Sequence, residues 1–425
     1  VTFQEVVGIL ISITALASYI NYKFIKLPKS IGVTLVTLFL SILILLAGHL
    51  GWNIDDFSKR LLQGISFNET FLHGMLSFLL FAGSLHVSIV ELAKYKVLVG
   101  LLATASVIIS TLLIGYAIYA LTQCLGVDLP LYYCFVFGAL ISPTDPIAVL
   151  GVLKKVKAPK SLEMKITGEA LFNDGMGIVL FFVVLGLANG SQEHISARLI
   201  TIYFIQQGLG GILVGTVMGW LAAKLIRSID DYEVAIIITL AIVTAGYTFA
   251  HSIVQVSGPV CMAITGLVVG GSLKNGSMSK NTMKRLDGFW DLLDEVLNAV
   301  LFVLIGLEFL QISLDLDNVL IGIGAIIICI TARWISIAIP VVCLARFRKF
   351  NADVVMIMTW GGLRGGISIA LALSVTEPFY EIIITITYAV VLFSMMVQGL
   401  TISGLVKYLY QAKVKNREED ATTEL

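Results

Sequence analysis

Apolar runs of about 20 residues, the length that crosses a hydrocarbon core, recur from one end of this chain to the other. Backbone groups in lipid must bond within their own segment, so each run reads as a helix. Thirteen runs are read, at 4–24, 31–50, 68–90, 97–123, 130–153, 166–189, 201–226, 232–252, 255–273, 290–312, 318–344, 353–375 and 379–409. With 58% hydrophobic against 13% charged residues, the surface has to be lipid. The expected class is an all-α polytopic membrane protein. The first run has no basic flank before it and no small-residue cleavage site after it, so it reads as a span and not a signal peptide.

Charge says nothing in sum and much in distribution. Twenty-eight basic and 28 acidic residues cancel, which argues for neither nucleic acid nor an acidic partner. Every second connection is basic: Lys23 to Lys29, Lys94 and Lys96, Lys154 to Lys165, Lys224 and Arg227, Lys274 to Arg285, Arg346 to Lys349, and Lys407 to Arg417. Together these hold 23 of the 28 basic residues. Cytoplasmic loops collect Lys and Arg, so the N-terminus is expected outside and the C-terminus inside. The opposite loops carry acids, among them Asp55, Asp56, Asp128, Glu193, Asp315 and Glu381. The five cysteines show no CxxC spacing, which argues against zinc or a disulfide framework. No HExxH or GxSxG string appears, so an enzyme is not expected. No cofactor is called for either. The chain reads as one transmembrane unit, 1–410, and a short tail, 411–425.

Asp145, Glu169, Asp174, Arg333 and Arg364 lie inside predicted spans. Each costs about 2.5–3.5 kcal/mol at the bilayer centre on the insertion scale, so mutual pairing is expected. On the sixth span Glu169 and Asn173 share a helix face and Asp174 lies about 100° further round, a polar wedge flanked by Gly168, Gly175 and Gly177. The fifth span contains Ser142-Pro143-Thr144-Asp145-Pro146, where two prolines predict an unwound turn. The twelfth contains Trp360-Gly361-Gly362-Leu363-Arg364-Gly365-Gly366, a second break. Interrupted helices at corresponding positions of inverted halves point to a transport site at the midplane. The repeats are expected over about 4–189 and 232–409, joined by a linking helix at 201–226.

Over nearly the whole chain, the strings GALISPTDPIAVL, GEALFNDG, FVLIGLE and WGGLRGGISIAL resemble those of the NhaP/NHE group of sodium/proton antiporters, in particular its bacterial branch. The resemblance implies thirteen spans, a homodimer in the bacterial inner membrane, and a core domain that moves against a dimerisation domain. It makes Asp174 the carboxylate that takes cation and proton, with Asp145, Thr144 and Asn173 beside it, and Na+ (or Li+ or K+) held at Asp174, Asp145 and Thr144. Glu169 would pair with Arg333, and Arg364 would hold the broken twelfth span. Two departures stand out: Ala170 replaces a serine common in the family, and Phe81 is followed by Ala82 where a Glu is frequent.

One titrating acid beside a neutral Asn173 suggests an electroneutral exchange of one cation for one proton. A cation channel or proton-coupled symporter is the alternative use of the same acids; a channel would spread polarity along a path, whereas this chain gathers it in one cluster. Glu308 reads as a structural or interface acid. Asp291, Asp294 and Glu295 read as charges favoured by the dipole at a helix start, with a cation funnel as the alternative. His73, His86 and His251 are left out of the site. Gly211, Gly215 and Gly219 form a small-residue ridge on the seventh span. Internal packing and a dimer interface are both open for it, and the resemblance favours the interface.

Overall fold

The computed structural model describes residues 3–50, 74–156, 158–190, 197–274, 279–311, 316–345 and 352–409. All named elements among them are helices: α1 Phe3–Ile20, α2 Lys29–His49, α3 Leu76–Leu85, α4 Lys96–Ala103, α5 Ala105–Leu125, α6 Leu131–Ile141, α7 Ile147–Lys155, α8 Lys160–Ala188, α9 Ala197–Arg227, α10 Tyr232–Thr248, α11 Gly258–Lys274, α12 Lys280–Glu308, α13 Leu316–Ala345, α14 Ala352–Trp360, α15 Gly366–Ala372 and α16 Tyr380–Phe393. Among the described residues, eight continuous helical stretches are long and apolar enough to cross a membrane, and three shorter apolar helices accompany them. The chain is therefore a multi-pass membrane protein. His73 and part of the third run lie outside the described residues.

Two bundles emerge from the packing. α4 to α8 and α13 to α16 pack on one another and, with the breaks between them, carry Asp145, Glu169, Asp174, Arg333 and Arg364. The second bundle is α1, α2, α3, α9, α10, α11 and α12. They meet where α8 touches α9 and α11, and where α12 touches α15. At that last junction Leu301, Phe302 and Ile305 share an apolar core with Ile369, Ala370 and Tyr388.

Two sequence expectations need correction. The glycine ridge does not face outward: a Cβ on Gly215 would sit 2.5 Å from the Cys261 carbonyl, and one on Gly219 3.0 Å from that of Thr265, both on α11. The small residues let α9 and α11 close on each other within one chain. Gly215→Ala is expected to cost about 1–3 kcal/mol because backbone has to move. A lowered melting temperature in detergent at unchanged oligomeric state checks it; dissociation at unchanged melting would reinstate the interface.

The second correction concerns α12, which starts at Lys280, ten residues before the predicted run. Ser279 caps it by accepting from the Thr282 amide. Asp230 clamps the same end, accepting from the Thr282 hydroxyl at 2.9 Å and the Ser279 amide at 3.3 Å, bonds that hold its carboxyl below the usual range. Asp291, Asp294 and Glu295 thus sit in mid-helix, beyond the first turn where a dipole term acts. The charges made the first three turns look like a loop.

Candidate ion-binding site

The two broken spans cross. α6 stops at Ile141 and α7 starts at Ile147, because Pro143 and Pro146 cannot supply the amides that a continuous helix needs. Opposite, α14 stops at Trp360 and α15 starts at Gly366. The extended pieces between them pair antiparallel: the Asp145 amide donates to the Leu363 carbonyl at 2.7 Å. Close approach sets the residue types here. A Cβ on Gly365 would meet the Asp145 carboxylate at 3.2 Å, and one on Gly362 would meet Arg333 Nε at 2.8 Å.

Asp145 Oδ1 accepts from the Ile147 amide at 2.9 Å, so the acid caps the start of α7. The expectation that Arg364 holds its own broken span is corrected. Its Nη1 crosses to the other break and donates to the carbonyls of Ser142 (2.6 Å) and Pro143 (3.0 Å), just beyond the end of α6. A cation there satisfies carbonyls that lost their helical partners and complements the negative end of the helix. Arg364 is only 3% exposed.

Behind the crossing lies a polar network. Arg333 Nη1 pairs with Glu169 Oε1 at 2.7 Å, and both residues are buried. Asn173 Nδ2 donates to Glu169 Oε1 at 3.0 Å and to Thr144 Oγ1 at 2.9 Å. A carboxylate only accepts, so the amide nitrogen has to face Glu169. Arg333 Nη2 reaches the same Thr144 hydroxyl at 3.4 Å. Both lone pairs of that hydroxyl are engaged in this conformation, and a cation gains it only by displacing a donor. Asn173 Oδ1 is buried with no hydrogen-bond partner among the described residues.

In front lies a cavity of about 560 Å³ between the bundles. Thr144, Asp145, Ala170 and Asp174 line one wall; α3 and α12 supply the other through His86, Asp291, Asp294 and Asn298. Asn173 and Glu169 do not line it; their side chains belong to the network behind. The turn of about 100° between neighbouring residues thus puts Asn173 in the core and Asp174 in the cavity. Ala170 leaves only a methyl where the wall passes between Thr144 and Asp174.

Sequence reasoning weighed Asp291 and Asp294 as a cation funnel only in second place, and left out Asn298 and His86, which line the same wall. Asp287, Asp291, Asp294 and Asn298 recur at intervals of four, three and four, one stripe of a helix, and that spacing was the available signal. His86 Nε2 lies 3.0 Å from Asp291 Oδ1, with Nδ1 3.8 Å from Asp287 Oδ1. Glu308 is buried at the end of α12. His251 stacks on Tyr247, away from the cavity. Phe81 and Ala82 pack in the core of the second bundle, where Phe81 lies against Trp290.

Oxygen donors on the wall of a cavity between two bundles can hold a small hard cation or a proton, and not both on one carboxylate at once.

Residues 10–408 match the family described as "Sodium/hydrogen exchanger, transmembrane". The chain is 40% identical to the Na(+)/H(+) antiporter NhaP of Pseudomonas aeruginosa over 98% of its own length and 99% of that protein. It is 33% identical to the Na(+)/H(+) antiporter NhaH of Halobacillus dabanensis over 95% and 96% of the two chains. Its fold is similar to that of the sodium proton antiporter MjNhaP1 of Methanocaldococcus jannaschii, with a TM-score of 0.72 at 22% identity, covering 94% of this chain and 96% of the other.

Proposed function

The chain belongs to the sodium/hydrogen exchanger family, and from that premise we propose that it exchanges Na+ for H+ by alternating access, with both ions taken in turn by Asp174. The observation that carries this reading is the pair Asp145 and Asp174 on one wall of a cavity between two bundles. Lys154 and Glu163 also line it, within the basic 154–165 connection. With the N-terminus outside, that end of the cavity lies toward the cytoplasm of a bacterial cell. Leu301, Phe302 and Ile305 pack in one apolar core with residues of α15 and α16, and on this reading that core is the seal against the far side. A channel needs polar groups along a continuous path, whereas here they gather in one cluster.

Exchange then follows from competition. An empty, ionised Asp174 is costly to carry past the apolar seal, whereas a loaded one is neutral, so loaded forms cross and the ions swap. Asp145 and Thr144 complete the cation's ligands, and Asn173 orients Thr144 and Glu169 without titrating. No cofactor is required; the ions are the substrates. We assign the site-bearing bundle the moving part and the second bundle the contact between two copies in a homodimer. The chain divides on this reading into repeats at about 4–189 and 232–409.

One titrating carrier predicts electroneutral exchange. In proteoliposomes, Na+ is expected to drive proton movement without generating a membrane potential, and an imposed potential is expected to leave the rate unchanged. Adding NaCl, LiCl and KCl in turn, with and without a clamp on the potential, measures selectivity and stoichiometry together. A sodium-driven potential would require a second titrating acid at the site.

A further inference from the structure

One peptide group, between Leu363 and Arg364, joins three spans. Its carbonyl accepts the Asp145 amide at 2.7 Å. Its N–H donates to Ser394 Oγ on the span that carries α16, at 2.9 Å and fully inside the protein. In a trans peptide the carbonyl and the N–H point in opposite directions, so the plane is held from both sides. Arg364, whose backbone supplies that N–H, sends its guanidinium to the Ser142 and Pro143 carbonyls. Every backbone tie described between the fifth-span break and its partner therefore runs through this one plane or the residue attached to it.

The segment around Ser394 is built for this. Residues Ser394–Gln398 form a π-turn, in which the Gly399 amide bonds the Ser394 carbonyl five residues back. A helical serine ordinarily turns its hydroxyl back onto the preceding turn of its own helix. Here the hydroxyl accepts from another span at the place where the helix widens, and widened turns of this kind gather at functional positions. Four residues before Arg364, Trp360 Nε1 donates to Thr401 Oγ1 at 2.8 Å on the same span. The unwound turn of one span and the widened turn of the other thus lie between two bonds, one near the site and one at the surface.

We infer that Ser394 is a positioning residue for the ion site, fixing the Leu363–Arg364 peptide plane and through it the backbone of Asp145. Without its hydroxyl the buried Arg364 N–H loses its acceptor, and the plane is free to tilt. Asp145 keeps its carboxylate and loses its fixed place beside Asp174. The inference rests on the exchange reading above.

The test uses the full-length protein in proteoliposomes. Ser394→Ala is expected to raise the apparent KM for Na+ about threefold to tenfold, the range for one lost buried hydrogen bond. The maximal rate is expected to stay within about twofold, because the bond lies within one bundle and the bundle's movement does not break it. Ser394→Thr, which keeps the hydroxyl, restores the KM. Thr401→Val, which removes the surface bond between the same spans, leaves it unchanged. Should Ser394→Ala fail to assemble, Ser394→Cys carries the same test, since a thiol fills the space and accepts only weakly. A wild-type KM in Ser394→Ala, or an equal rise in Thr401→Val, overturns the inference. Absence of sodium-driven proton movement in the wild-type protein overturns the exchange reading instead.

Discussion

Asp174→Asn is expected to reduce sodium-driven proton movement to the level of empty vesicles while the protein inserts, purifies and melts at or above the wild-type temperature. Asn has nearly the shape of Asp, so the cavity wall keeps its packing. What disappears is the ability to alternate between a charged form that holds a cation and a neutral form that holds a proton. An amide is neutral throughout, so it pays no penalty for crossing empty and carries nothing in exchange. Stability moves the other way because a partly buried charge, costly in a low-dielectric wall and next to the Asp145 carboxylate, has been removed. Vesicle assays read the first effect and thermal scanning in detergent the second. Residual exchange in Asp174→Asn would move the carrier role to Asp145, the other acid on that wall.

How much of this was legible beforehand depends on how far apart the interacting groups lie in the chain. Asp145, Asp174 and the flanking prolines stand out because charge and missing amides are costly in lipid wherever they occur, and a local reading suffices. That the buried charges pair was expected the same way, whereas the particular Glu169–Arg333 partnership came from the family resemblance. The destination of Arg364 was not, since its acceptor lies 222 residues away and spacing carries no information about a crossing between two breaks. Position along α8 separates Asn173 from Asp174 by one residue, and only the surrounding bundle decides which of the two faces the cavity. The glycine ridge misled because close packing of small residues looks the same within a chain and between chains. α12 was misread at its start for the opposite reason: its first turns expose Asn281, Lys284 and Arg285, so hydropathy fails there even though Leu286 and Trp290 anchor them in the core.

Arg333→Ala is expected to destabilise the protein by about 3–5 kcal/mol, the usual cost of leaving one member of a buried ion pair behind. Glu169 is 2% exposed and would keep the Asn173 amide as its described hydrogen-bond donor. Thr144 would lose the second of its two donors. The pair itself contributes far less than this loss, because burying both charges costs nearly what their attraction returns. Glu169→Gln/Arg333→Met, neutral and close in volume, is therefore expected to recover most of the stability, and a double-mutant cycle in a denaturant titration measures the coupling directly. Activity of the double variant then separates two roles that the geometry joins. If the pair only holds the sixth and eleventh spans together, the neutral replacement exchanges ions at a near wild-type rate. If the donor that Arg333 places on Thr144 regulates when that hydroxyl is released to the cation, the double variant is as stable as the wild type and its Na+ affinity rises, since one of the two bonds occupying the hydroxyl has been removed in advance.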